Sequence, residues 1–345
     1  MQVRKNHTTF FFILIVTILL SAYLRSFDMI RGTDALAYID LFDSITSYNK
    51  LNYQYYMNDY GFSHYSFLIR KITDSGVLYL FITFFLSTLF LFTSYYIFLK
   101  EEQSSFLYIS IFFLLFSSSY YLMNLNGVRQ GFSSSLIMLS FAYCYEMKNT
   151  KAITLMLVAI SFHKSALLAL ATLFIITQPW IRISPVLIFY FLTIIGLLFN
   201  SEQIIILFND AGLDVIAEKF KSFNRVSKGN TSVTFKLFVL FTFVNFFAYI
   251  RSYTTNQLFN FVTRVYIIYA GIVMLFCSFE AFVNRLLLIF GVIEPLIFAL
   301  SIYCFKDKRK VMPFILLFGI IYFVYVFTHP SFRSELRLLD ISFPI

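Results

Sequence analysis

Asn124-Leu125-Asn126-Gly127-Val128-Arg129-Gln130-Gly131 breaks two long apolar runs, and the reading of that break decides the fold. Phe106 to Met123 lies upstream and Val128 to Met147 downstream. A charge between stretches of this length is costly in hydrocarbon, so it marks a boundary that has a task. A second polar break, Phe162-His163-Lys164-Ser165, follows about one membrane span later.

The whole chain agrees with a membrane setting. Of 345 residues 59% are hydrophobic and 13% charged, and the mean hydropathy is +0.77. Soluble domains carry about 25% charge. The composition therefore predicts an all-α integral membrane protein, with residues 1–345 forming a single transmembrane domain. The net charge of +9 resides mostly between spans. That fits topology signals and anionic headgroups rather than nucleic acid. Cys144, Cys277 and Cys304 sit in apolar segments without metal-ligand spacing and read as buried thiols. Met1 to Leu24 reads as an uncleaved first helix behind Arg4 and Lys5.

About 17 to 25 apolar residues cross a bilayer as a helix. That ruler predicts spans near Thr9–Leu24, Gly76–Leu99, Phe106–Met123, Val128–Met147, Pro185–Phe199, Val233–Ile250, Val265–Val283, Leu286–Phe305 and Val311–Phe327. Ala152–Thr177 is either one span or two helices broken at His163 and Lys164. If it breaks there, the basic loops around Lys100, Lys148, Lys151, Arg182, Arg251 and Lys306 to Lys310 all fall on the cytoplasmic side, as positive residues do. A single span would put the Lys306 cluster outside. The expectation is a polytopic bundle of about 11 transmembrane helices, with a cytoplasmic N-terminus.

Every unusual polar group then shares the outer face. Residues 25–75 form an outer amphipathic segment, in which Asp34 and Tyr38 follow Gly32-Thr33 and Leu41, Phe42 and Ile45 recur at helical spacing. Arg70 and Lys71 in a second amphipathic helix are expected to face headgroups. Asn126, Arg129, Gln130 and Ser133 can share one helical face. An arginine fork there suits phosphate oxygens. His163 can act as a general base or a sugar ligand, Lys164 as a phosphate contact, and Asp34 as a base or a sugar-hydroxyl acceptor. Arg285 follows Asn284 at another outer mouth. Glu294, mid-helix beside Pro295, is an intramembrane carboxylate and so a functional candidate. Residues 200–232 read as an outer loop or flap. Signatures of soluble hydrolases and nucleotide-binding folds are missing, as is an acidic metal motif. No metal and no cofactor is expected.

Gly32-Thr33-Asp34 with Tyr38, then Asn126-Gly127-Val128-Arg129-Gln130-Gly131, Ser161-Phe162-His163-Lys164-Ser165-Ala166 and Asn284-Arg285 together resemble the EpsG-type branch of Wzy polysaccharide polymerases. The resemblance runs in order over most of the chain. Where that family often has an acidic E-x-G-F turn, this chain has Asp59-Tyr60-Gly61-Phe62. The resemblance implies a GT-C-like fold with periplasmic amphipathic helices, in a bacterial inner membrane. It also implies a glycosyltransferase that joins undecaprenyl-diphosphate-linked repeat units of O-antigen, capsule or exopolysaccharide. A flippase and a chain-length regulator would be its partners. Arg129, Arg285 and Lys164 would meet the diphosphate, with Asn126, Gln130 and Tyr38 lining the site, and His163 or Asp34 would take the proton. Two other readings are a different lipid-linked glycosyl- or acyltransferase, and a polysaccharide transporter.

Overall fold

The computed structural model describes residues 35–45, 59–100, 104–115, 127–178, 183–210 and 231–302, with single positions outside these runs. Asp34, Asn126, Cys304 and the first and last expected spans lie outside the described residues, apart from isolated positions within those spans. Among the described residues the chain is helical, without strands. The elements are α1 (Ala35–Ser44), α2 (Tyr60–Arg70), α3 (Gly76–Leu99), α4 (Ser104–Leu115), α5 (Val128–Tyr145) and α6 (Asn149–Phe162), followed by α7 (Ala166–Thr177), α8 (Pro185–Leu198), α9 (Ser201–Asp210), α10 (Thr231–Arg251), α11 (Gln257–Leu275) and α12 (Glu280–Ser301).

Among the described residues, three helices are long and apolar enough to cross a membrane: Gly76–Leu99, Val233–Arg251 and Gln257–Leu275. The number rises to five if two bent pairs each count as one span. Those pairs are Pro185–Leu198 with Ser201–Asp210, bent by 95°, and Glu280–Leu287 with Phe290–Ser301, bent by 45°. The ambiguous run does break at His163, into α6 and α7. Two later boundaries fall earlier than hydropathy places them. Arg264 looks like a loop charge, yet it lies inside α11, which starts where Asn256 accepts the Phe259 N–H at 2.7 Å.

Helix α5 sits at the centre, although it is too polar to meet the test for a span. Its serines explain how. Ser133, Ser134, Ser135 and Ser140 are all buried, and small side chains let neighbouring backbones come close. Ser133 Oγ donates to the Ala159 carbonyl at 2.9 Å and Ser140 Oγ to the Ala152 carbonyl at 2.7 Å, both on α6. Seven residues forward in α5 match seven residues back in α6, so the two helices form an antiparallel hairpin in fixed register. On its other side α5 packs against α3, where Ser87 and Ser135 share a 2.9 Å hydrogen bond.

Pro295 lies inside α12, beyond the bend. Pro295 has no N–H, so the Gly291 carbonyl loses its helical partner. Ser117 Oγ donates to that carbonyl at 3.1 Å, and the Tyr95 hydroxyl donates to the next one, on Val292, at 2.6 Å. Glu294 is buried and accepts from the Tyr266 hydroxyl at 3.0 Å.

Helices α1 and α2 dock rather than float. Leu41, Phe42 and Ile45 of α1 are buried. Ser66 of α2 pairs with Tyr79, and Tyr65 with Thr83, both at 2.9 Å. Arg70 is held by Asp43 at 3.3 Å and by the Asp74 carbonyl at 3.0 Å. Gly61 makes the docking possible, since a Cβ there would lie 2.1 Å from Ser161 Oγ on α6.

Candidate functional site

Arg129 opens α5, one turn before Ser133. Its Nη1 donates to Asp59 Oδ2 at 2.7 Å and its Nε to the Tyr38 hydroxyl at 3.3 Å. Asp59 precedes the first residue of α2 and its side chain is only 5% exposed, against 16% for Arg129. The carboxylate and the phenol hold two edges of the guanidinium and so fix the plane of its fork. A charge this sheltered needs such a partner.

The α5–α6 register places His163 in the same layer. Carried one turn beyond the Ser133–Ala159 bond, the antiparallel match sets Arg129 level with His163. The ring stack of Phe132 on Phe162, 4.6 Å between centroids, lies beside both. Phe62 of α2 meets Phe162 edge-on at 6.1 Å, which brings the start of α2 to the same corner.

His163 ends α6. Its backbone is extended and its N–H reaches the Ala159 carbonyl at 3.0 Å. The Ser165 N–H donates to His163 Nδ1 at 3.3 Å, and Ser165 Oγ lies 2.7 Å from the same nitrogen. His163 is half-buried and Lys164 is exposed beside it.

Gln130 and Ser133 are each engaged by a neighbouring helix. Gln130 is buried and its amide donates to the Arg285 carbonyl, while Ser133 is used by Ala159. Gln130 thereby ties the start of α12 to the start of α5. The Arg285 side chain is exposed, and its neighbour Asn284 accepts from Lys236 at 3.0 Å.

Tyr38, Arg129, Gln130, His163, Lys164 and the Arg285 backbone thus gather at one end of the bundle, with Asp59 among them. Asp59 is the residue that spacing undervalued. Its signal was an acid standing before a glycine and an aromatic at a helix start. The opposite end holds another set of charges. There Lys100 and Lys148 both donate to Glu146, the latter at 2.6 Å, and Asn256 donates to Glu102 at 3.3 Å.

Beside Arg285, Phe220 packs among Phe276, Phe279 and Phe282 at centroid distances of 5.7, 4.6 and 5.3 Å. Phe208 of α9 stacks on Phe220 at 5.4 Å. This aromatic cluster docks Phe208 and Phe220 on the turn between α11 and α12.

A family model described as the EpsG family matches residues 8–338. No curated protein and no solved structure matches the chain.

Proposed function

The chain belongs to the EpsG family, and on that premise we propose that it is a membrane-embedded polysaccharide polymerase, a glycosyltransferase whose donor is a glycan on undecaprenyl diphosphate. The observation that carries the reading is the braced guanidinium of Arg129, paired with Asp59 and level with His163 at one end of the bundle. Glycosyl transfer from a lipid diphosphate builds negative charge on the leaving group, and preorganised donors lower that barrier. Arg129 is such a donor set, and the exposed Lys164 and Arg285 at the same end add cationic charge. His163 stands at the same level, and Asp34 is a candidate for the acceptor's proton. Gln130 holds the start of α12 at Arg285, and Tyr38 holds Arg129.

In this reading the bundle has about eleven spans of GT-C type, and the Arg129 end faces the periplasm of a bacterial inner membrane. Repeat units arrive through a flippase, and a chain-length regulator sets the length of the product. O-antigen, capsule and exopolysaccharide all fit this chemistry.

The test is the surface glycan of a strain lacking the protein. Its gel ladder should collapse to a single repeat unit, and the wild-type gene should restore it where an Arg129→Ala gene does not. A full ladder in the deletion strain sinks the polymerase reading.

A further inference from the structure

The turn after α6 determines which way the His163 ring can act. A backbone N–H can only donate, so the 3.3 Å bond from the Ser165 N–H makes Nδ1 an acceptor. Nδ1 of a neutral imidazole accepts only when its proton is on Nε2. The Ser165 hydroxyl, 2.7 Å from Nδ1, then donates to the same lone pair. That lone pair is what a general base would use, and Ser165 already engages it from two atoms. Ser165 is itself buried and belongs to the turn that starts α7, so the hold is part of the fold.

We infer that His163 is the Nε2–H tautomer and serves as a hydrogen-bond donor, not as the proton acceptor, with Ser165 as the residue that positions it. This rests on the polymerase reading for its substrate, a sugar on a lipid diphosphate. In the transfer, the acceptor hydroxyl oxygen bonds to the anomeric carbon. The bond from that carbon to the phosphate oxygen breaks, and its electron pair stays on the diphosphate. His163 Nε2–H stabilises the oxygen that gains this charge, alongside Arg129. The acceptor's proton goes to a carboxylate, and Asp59 is the described carboxylate in the Arg129 layer.

Full-length protein in lipid nanodiscs, supplied with lipid-linked repeat units extracted from the deletion strain, separates donor from base. Glutamine can donate from a similar position and glutamate cannot. His163→Gln should stay within about tenfold of wild type, and His163→Glu should lose about 100-fold or more, the cost of removing one such donor. Ser165→Ala should lower kcat with little change in KM, and Ser165→Thr should restore it. Any pattern in which Gln does no better than Glu, in variants that remain monodisperse, overturns the donor role. So does a Ser165→Ala enzyme with unchanged kcat. A wild-type protein that fails to extend the units would count against the polymerase reading instead, and the two failures are distinct.

Discussion

Arg129 and Asp59, seventy residues apart in sequence, form a 2.7 Å ion pair whose acid is almost wholly enclosed. Removing one partner of a buried pair typically costs about 3–5 kcal/mol, because the other charge is left stranded. Asp59→Ala should therefore lower the melting temperature of the purified protein clearly and abolish the glycan ladder. Arg129→Lys keeps the charge but loses the fork. It should fold, yet lose at least about tenfold in activity, one bidentate contact's worth. Normal melting in Asp59→Ala would show that the pair does not brace the site.

Gly61 is tested by its neighbour. Gly61→Ala would push a methyl into Ser161, with the Ser161 Cβ at 2.8 Å as well as the hydroxyl. Overpacking of this kind costs about 1–3 kcal/mol. Adding Ser161→Gly should recover part of the loss in thermal stability. No recovery in the double variant would mean that α2 does not dock there.

Pro295 and Ser117 should be coupled. Pro295→Ala returns an N–H to the Gly291 carbonyl, which then needs Ser117 less. Ser117→Ala should cost about 1–3 kcal/mol in the native chain, as an orphaned buried carbonyl does. The same change should cost markedly less beside Pro295→Ala. Additive losses in that double-variant cycle would remove the link.

At the opposite end, hydrogen bonds from Lys100 and then Lys148 hold the Glu146 carboxyl below its usual range. The contribution of a depressed carboxylate is complete above the unfolded value of about 4.3 and is lost as pH falls through the lower folded value. Glu146→Gln should thus lose about 0.3–1 kcal/mol at pH 7. Unfolding scans should show the gap closing in strong acid. An equal gap at both pH values would point to packing instead of charge.

Phe220→Ala should remove the packing of this stretch against Phe276, Phe279 and Phe282. Limited proteolysis of residues 200–232 should then speed up several-fold, while the core of the bundle stays protected.

Much of the framework was legible before the structure. The stretch 76–99 carries no charge and helix α3 covers it entirely. The break at His163 followed from charge placement alone. Polar residues at the mouth were legible as a set because each interrupts an apolar run. Their pairings were not, because they depend on contacts between elements far apart in sequence. Asp59 looks like any acid at a helix start until α2 docks through Gly61. Gln130 and Ser133 share a helical spacing with Arg129, but spacing cannot say which neighbour takes each one. Arg264 misled the boundary of α11 because a charge near a helix end looks like a loop when hydropathy is the only guide.

The shortness of α6 bears on the bilayer itself. Its 14 residues rise about 21 Å, against a hydrocarbon layer of about 30 Å. If, as proposed, Arg129 and His163 face the periplasm, a helix of that height leaves the site below the headgroup level or the lipid thinned around it. A polar headgroup would then reach the site by sliding sideways and down, and the lipid tail need never leave the membrane.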